Sequence, residues 1–243
     1  MQSVCMVAAP NLEKGADAVT TTPRDPFPTT AELLRGLSEE YAAFADLIAP
    51  LDRAAWTAPT RCTGWEVRDV AGHVTLGAAE SLDGMIGART PDEQAALLRD
   101  RTAAEVADLL RRSAGGLIAL LERFDEAAWA APAPTPGRTV HNGVLTLWYD
   151  AFVHADDIRT ALGLPARHEP AAVAACVAWL CAELSRLGRG PLTLRLDGLP
   201  PRSIGSGGPV VTGDPMRFVL AASGRLDPAV LGLDRRVNVH LLP

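Results

Sequence analysis

Apolar residues recur at steps of three and four through most of this chain, and the pattern turns to alternation only near its end. A first helix is predicted from Thr29 or Thr30, with Thr29 and Glu32 at capping-box spacing. Leu33, Leu37, Tyr41, Phe44, Ile48 and Leu51 then form one apolar face, and Pro50 and the stretch from Trp56 to Gly64 end it. A second helix is predicted from about Glu66 to Gly87, with Val67, Val70, Ala71, Val74 and Ala78 on one side and His73 beside that stripe. A third begins at Thr102, where Glu105 completes another capping box, and buries Val106, Leu109, Leu110, Leu117, Leu120, Leu121 and Phe124. After an Ala/Pro loop over 130–136, a fourth covers roughly Val140 to Leu162 and stops at Gly163. Four amphipathic helices each with one stripe to bury predict a four-helix bundle, and the long loops admit topologies other than up-and-down. No internal repeat is visible in the pattern.

Past Pro165 the periodicity changes. Pro170 to Leu187 reads as a fifth helix, and Leu192 to Leu196 alternates like a strand. Ser206 to Pro209 is a turn, Val210 and Val211 suggest a further strand, and Asp214 to Ala222 is helical with Pro215 in its first turn. Val237, Val239 and Leu241 alternate again as a strand would. The expected fold is therefore mainly α with a C-terminal α/β part. Residues 1–28, rich in Thr and Pro, form a flexible leader; 29–165 form the bundle; 166–243 form a small α/β domain.

Composition narrows the function classes. A net charge of −6 argues against nucleic-acid binding, which needs a basic face. Lys14 is the one lysine, and the arginines are spread along the chain. No apolar run approaches membrane-spanning length. Cys5, Cys62, Cys176 and Cys181 show no C-x-x-C spacing, so free thiols in a reducing, cytoplasmic setting are expected.

Candidate chemistry sits on two helices. Asp150 and His154 are four apart, which makes their side chains neighbours about 5–6 Å apart at Cβ. If that face meets His73 in the core, two imidazoles and a carboxylate converge. Such a set suits a divalent metal such as zinc and leaves a coordination position open. An acid–His pair at this spacing also arises by chance, and a buried helical His is often only a hydrogen-bonded core residue. Asp156 and Asp157 compete for the acid's role; Asp157 can instead support His154 from behind or pair with Arg159. His141 reads as a capping or surface residue, and His168 and His240 carry no motif. Gly205-Ser-Gly-Gly208 lacks the Lys-Ser/Thr of a phosphate loop, Cys62 reads as a packed loop cysteine, and Arg225 can complement the negative end of the helix before it.

Three ordered blocks resemble a known family. Trp56, Pro59-Thr60 and Cys62-Thr-Gly64-Trp65-Glu66-Val67-Arg68-Asp69-Val70-Ala71-Gly72-His73-Val74 resemble the opening of the mycothiol-dependent maleylpyruvate isomerases, a branch of the DinB-like metal-binding bundles. Asp150-Ala-Phe-Val-His154 resembles that family's acid-x-x-x-His helix, and the stretch from Gly205 to Arg225 resembles its C-terminal domain. The resemblance implies a zinc-type site with His73, Asp150 and His154 as ligands, where the thiol of mycothiol becomes a metal-bound thiolate and attacks a small electrophile. It also implies that Arg225 helps hold substrate or thiol and stabilises developing negative charge. Where Asp150 stands the family usually has Glu, one methylene longer. The implied activity is a thiol-using S-transferase or isomerase. Its rivals are a metal-dependent hydrolase using bound water and a non-catalytic metal- or ligand-binding regulatory module.

Overall fold

The structure, a computed structural model, describes residues 27–241; the proposed leader and Cys5 lie almost wholly or wholly outside them. Four long helices form the bundle: α1 (Thr30–Ile48), α3 (Val67–Leu82), α5 (Ala103–Leu121) and α7 (Val140–Ala161). Three short ones intervene: α2 (Arg53–Trp56), α4 (Pro91–Leu97) and α6 (Glu126–Ala130). The capping boxes at Thr29/Glu32 and Thr102/Glu105 are both formed, so the first N–H groups of α1 and α5 are satisfied by the residues the spacing pointed to. α1 packs on α5 and α7, and α3 packs on the same two, so consecutive long helices α1 and α3 face each other across the core. Gly36 makes the α1–α7 approach possible, since a Cβ there would lie 2.1 Å from the Trp148 ring.

An internal repeat is present, although apolar periodicity alone hid it. Landmarks of the first helical pair recur 73 residues later: Thr29 as Thr102, Asp52 as Asp125, Trp56 as Trp129, Pro59 as Pro132 and Gly64 as Gly137. Asp52 and Asp125 each cap a short helix, and Trp56 and Trp129 are both buried. Each following loop closes on a two-residue antiparallel bridge, Pro59 with Glu66 and Pro132 with Thr139. The bonds Val67 N to Ala58 O and Val140 N to Ala131 O, both 2.9 Å, repeat as well. Both loops need a glycine at left-handed φ, 82° at Gly64 and 77° at Gly137. Loop 130–136 is thus not irregular throughout; it is the second copy of a built turn.

α8 (Pro170–Arg186) packs on α7, and α9 (Pro215–Ala222) packs on α8. Beside them lies a three-stranded sheet of β1 (Leu192–Leu196), β2 (Arg202–Ile204) and β3 (Val210–Gly213), in the order β2-β1-β3. β1 runs antiparallel to β2 and parallel to β3. The alternation at Val237, Val239 and Leu241 does not make a strand. Asp234 caps a 3₁₀ turn over Arg235–Val237, and the tail is tied down by Val239 N to Ala222 O and by Arg189 on the Asn238 and Leu241 carbonyls. The second helix also ends earlier than expected, at Leu82, and the chain reverses into α4. No helix of the described residues is long and apolar enough to cross a membrane. Among the described residues Cys62, Cys176 and Cys181 are free thiols.

Candidate metal centre

α3 and α7 pack together and bring His73, Asp150 and His154 to one place. His73 Nε2 lies 3.2 Å from Asp150 Oδ2, and His154 Nε2 lies 3.5 Å from Asp150 Oδ1. Ligand atoms bound to one tetrahedral zinc at 2.0–2.1 Å sit about 3.3 Å apart; these two separations, each to a different Asp150 oxygen, are of that size, and one ligand atom from each of the three residues lies within 4.8 Å of the others. Asp150 reaches that spacing with its shorter side chain.

The hydrogen bonds behind the two imidazoles fix which nitrogen each presents. His154 Nδ1 is 2.8 Å from Asp157 Oδ2, an oxygen of a fully buried carboxylate. A carboxylate only accepts, so Nδ1 carries the proton and Nε2 keeps a bare lone pair. Asp157 is held ionised by Arg225 through Nε and Nη2 at 2.7 and 2.5 Å, and by Arg61. Burial alone would raise its pKa, but hydrogen bonds from His154 and Arg225 and the Arg225 charge hold it well below the carboxylate range.

His73 reaches the same tautomer by a longer route. Its Nδ1 lies 2.7 Å from Gln94 Oε1, and Gln94 Nε2 donates to Glu80 Oε2 at 2.7 Å. Arg89 donates to the other Glu80 oxygen at 2.8 Å. Because Glu80 claims the amide NH₂, Gln94 can show His73 only its carbonyl oxygen. Two lone pairs and a carboxylate therefore point at one another, an arrangement that needs a cation or a proton between them. Without a metal the proton serves: burial lowers the His73 pKa, yet Asp150 and the bonds to Asp150 and Gln94 outweigh it and raise the net value. Asp150 is correspondingly depressed, as the two imidazoles overcome its burial.

Trp65 walls the site, its indole 5.3 Å from the His73 ring and stacked on His154 at 6.1 Å, with Nε1 donating to Asp92 at 2.9 Å. Cys62 is nearer the chemistry than a packed loop cysteine need be. Its thiol donates to Asp157 at 3.2 Å and lies 4.0 Å from His154 Nδ1. Burial, and then the Asp157 charge, push its pKa up to about 12. Cys62, His154 and Asp157 also converge within metal-ligand range. There, however, Arg61 and Arg225 already occupy the carboxylate, and a cation would have to displace both.

Of the other residues weighed from sequence, Asp157 pairs with Arg225 and Arg61, while Arg159 donates to the Pro165 carbonyl. Arg225 does reach back toward its own helix end, donating to Ser223 O at 3.2 Å, but its main partner is Asp157. Asp156 binds Arg61 and His168, His141 meets the Pro28 carbonyl, and His240 meets the Tyr149 hydroxyl. Gln94, Glu80 and Arg61 carried no motif; their partners lie 9 to 96 residues away in sequence, beyond any local pattern.

Residues 37–159 match the family described as the mycothiol maleylpyruvate isomerase N-terminal domain, a span of half the chain that includes His73, Asp150, His154 and Asp157. The chain belongs to that family. Two solved structures, the mycothiol-dependent maleylpyruvate isomerase and a histidine-to-alanine mutant of it, share its fold at a TM-score of 0.61. Each is 20% identical, with 82% of this chain and 90% of the other covered, so the likeness of this maleylpyruvate isomerase family member to them extends past the matched helices into the C-terminal part. No curated protein matches the sequence.

Proposed function

We propose that the protein is a metal-dependent, thiol-using isomerase or S-transferase that joins a mycothiol-type thiol to a small electrophilic molecule. The observation that carries this reading is the convergence of two Nε2 lone pairs on Asp150, with both tautomers fixed from behind. His73, Asp150 and His154 would hold a divalent ion, zinc by its preference for this donor set. When bound, such an ion lowers the pKa of a thiol so that it is a thiolate at neutral pH.

The chain's own residues then divide the remaining work. Asp150 offsets the ion's charge, while Asp157 and Gln94 hold the imidazoles in the donor form. The Trp65 indole excludes water from one side. Arg225, two of whose five N–H donors face Asp157 and a third the Ser223 carbonyl, stabilises negative charge that develops on the electrophile as the thiolate adds. In this reading residues 29–165 supply the ligands and 166–243 supply Arg225.

The test is thiol dependence. Zinc-loaded protein should convert a small unsaturated keto-acid electrophile when mycothiol is added, and show no turnover without it. Turnover independent of thiol would replace this reading with a hydrolase using bound water. Binding of zinc and thiol with no turnover of any electrophile tried would favour a regulatory binding module.

A further inference from the structure

None of the three blocks that resemble the family includes α4, yet this seven-residue helix touches the candidate centre twice. Gln94 meets His73 and Asp92 meets Trp65, at 2.7 and 2.9 Å. Thr90 caps it with Glu93, and Pro91 starts it, so its position after the turn that follows α3 is set locally. Gln94 is buried and bonded at both ends of its amide.

We propose that Gln94 is a positioning residue that imposes the Nδ1–H tautomer on His73, and that Glu80 gives it this power by fixing which way its amide faces. A glutamine alone is ambiguous, because its amide can turn either its oxygen or its NH₂ toward an imidazole. With the NH₂ turned toward His73, Nδ1 would have to accept, and Nε2 would carry the proton and lose its lone pair. Glu80, anchored by Arg89, accepts only and removes that choice. The relay Arg89, Glu80, Gln94, His73 thus turns a fixed charge two turns along the same face of α3 into a bare Nε2 on His73. This inference rests on the proposed metal site but not on the thiol chemistry.

Two variants separate positioning from packing. Gln94→Leu keeps the bulk and removes the acceptor. Gln94→Glu keeps an acceptor for His73 Nδ1–H and shares one proton with Glu80, as facing carboxyls do. Nitrogen-15 NMR of metal-free protein carrying Asp150→Ala, so that no carboxylate faces Nε2, at a pH where His73 is neutral should show the Nδ1–H form with Gln94 or Gln94→Glu and a mixture with Gln94→Leu. Chelator competition should show zinc affinity about 10–100-fold lower in Gln94→Leu and nearer wild type in Gln94→Glu. A packing role predicts the reverse order, since Glu places a second carboxyl against Glu80 while Leu keeps the bulk and adds no charge. An unchanged tautomer and affinity in Gln94→Leu, or the reversed order, overturns the proposal. Wild-type protein that binds no zinc would remove the metal site, while the tautomer measurement would still decide the role of Gln94.

Discussion

The two halves of the bundle share a backbone plan and differ in what they do with it. Positions of the first half recur 73 residues on, so His73 on α3 corresponds to Thr146 on α7, and Trp65 to Arg138. In the first half the loop turns Arg61, Cys62 and Trp65 toward the candidate centre. In the second half Arg138 binds Glu183 and Thr146 and lies over the Trp179 ring, and Thr146 accepts from Trp179 Nε1 at 2.8 Å. The same register therefore builds the candidate centre on one side and the seam with α8 on the other. The site's two other members, Asp150 and His154, correspond to Gly77 and Ser81, which have no such chemistry. A repeated scaffold fixes where side chains can meet; the side chains alone decide whether a site results.

The largest effect should separate His73 from its counterpart. His73→Ala should lower zinc affinity on the order of a thousandfold while the bundle stays folded, and Thr146→Ala should leave zinc binding intact. Calorimetric titration of both variants checks this; equal losses would erase the distinction between the halves.

Next in size is Asp157→Asn. It leaves Arg225 without its carboxylate in a nearly buried place, which costs about 3–5 kcal/mol. It also removes the charged acceptor from His154, so urea midpoint and zinc affinity should fall together.

Glu40 on α1 corresponds to Ser113 on α5, and it sharpens the comparison through pH. Burial pushes the Glu40 carboxyl up to about 7 from 4.5, against the pull of Arg167. Between those values the folded state keeps a proton that the unfolded state releases, so stability falls as pH rises through that window. Glu40→Gln should therefore raise stability at pH 8 by up to about 3 kcal/mol and leave it nearly unchanged at pH 4. Denaturant midpoints at the two pH values measure the difference. Thr146→Ala should have the smallest effect, about 1–2 kcal/mol, from the acceptor lost to Trp179 and Arg138.

The long helices were legible because each carries one apolar stripe and a Thr–Glu capping box or a terminal glycine. Asp150 and His154 were legible as neighbours because one helix turn fixes their distance. The repeat was not, since its landmarks are turn residues such as Asp52, Pro59 and Gly64, while the helical positions between them have diverged. The groups behind the imidazoles were also hidden. Gln94 lies on a helix too short to show a period, and Asp157 was one of several acids until Arg61 and Arg225 closed on it from 96 and 68 residues away. The tail at Val237 alternates by composition, but Asp234 caps a turn there and among the described residues no neighbouring strand offers it a ladder.

His73, Asp150 and His154 are proposed to form one metal site, and the metal content of the protein measures whether they do. Protein purified without chelator, or refolded with zinc and desalted, should hold about one zinc per chain by elemental analysis. Wild-type protein that holds no metal after either treatment would contradict that proposal.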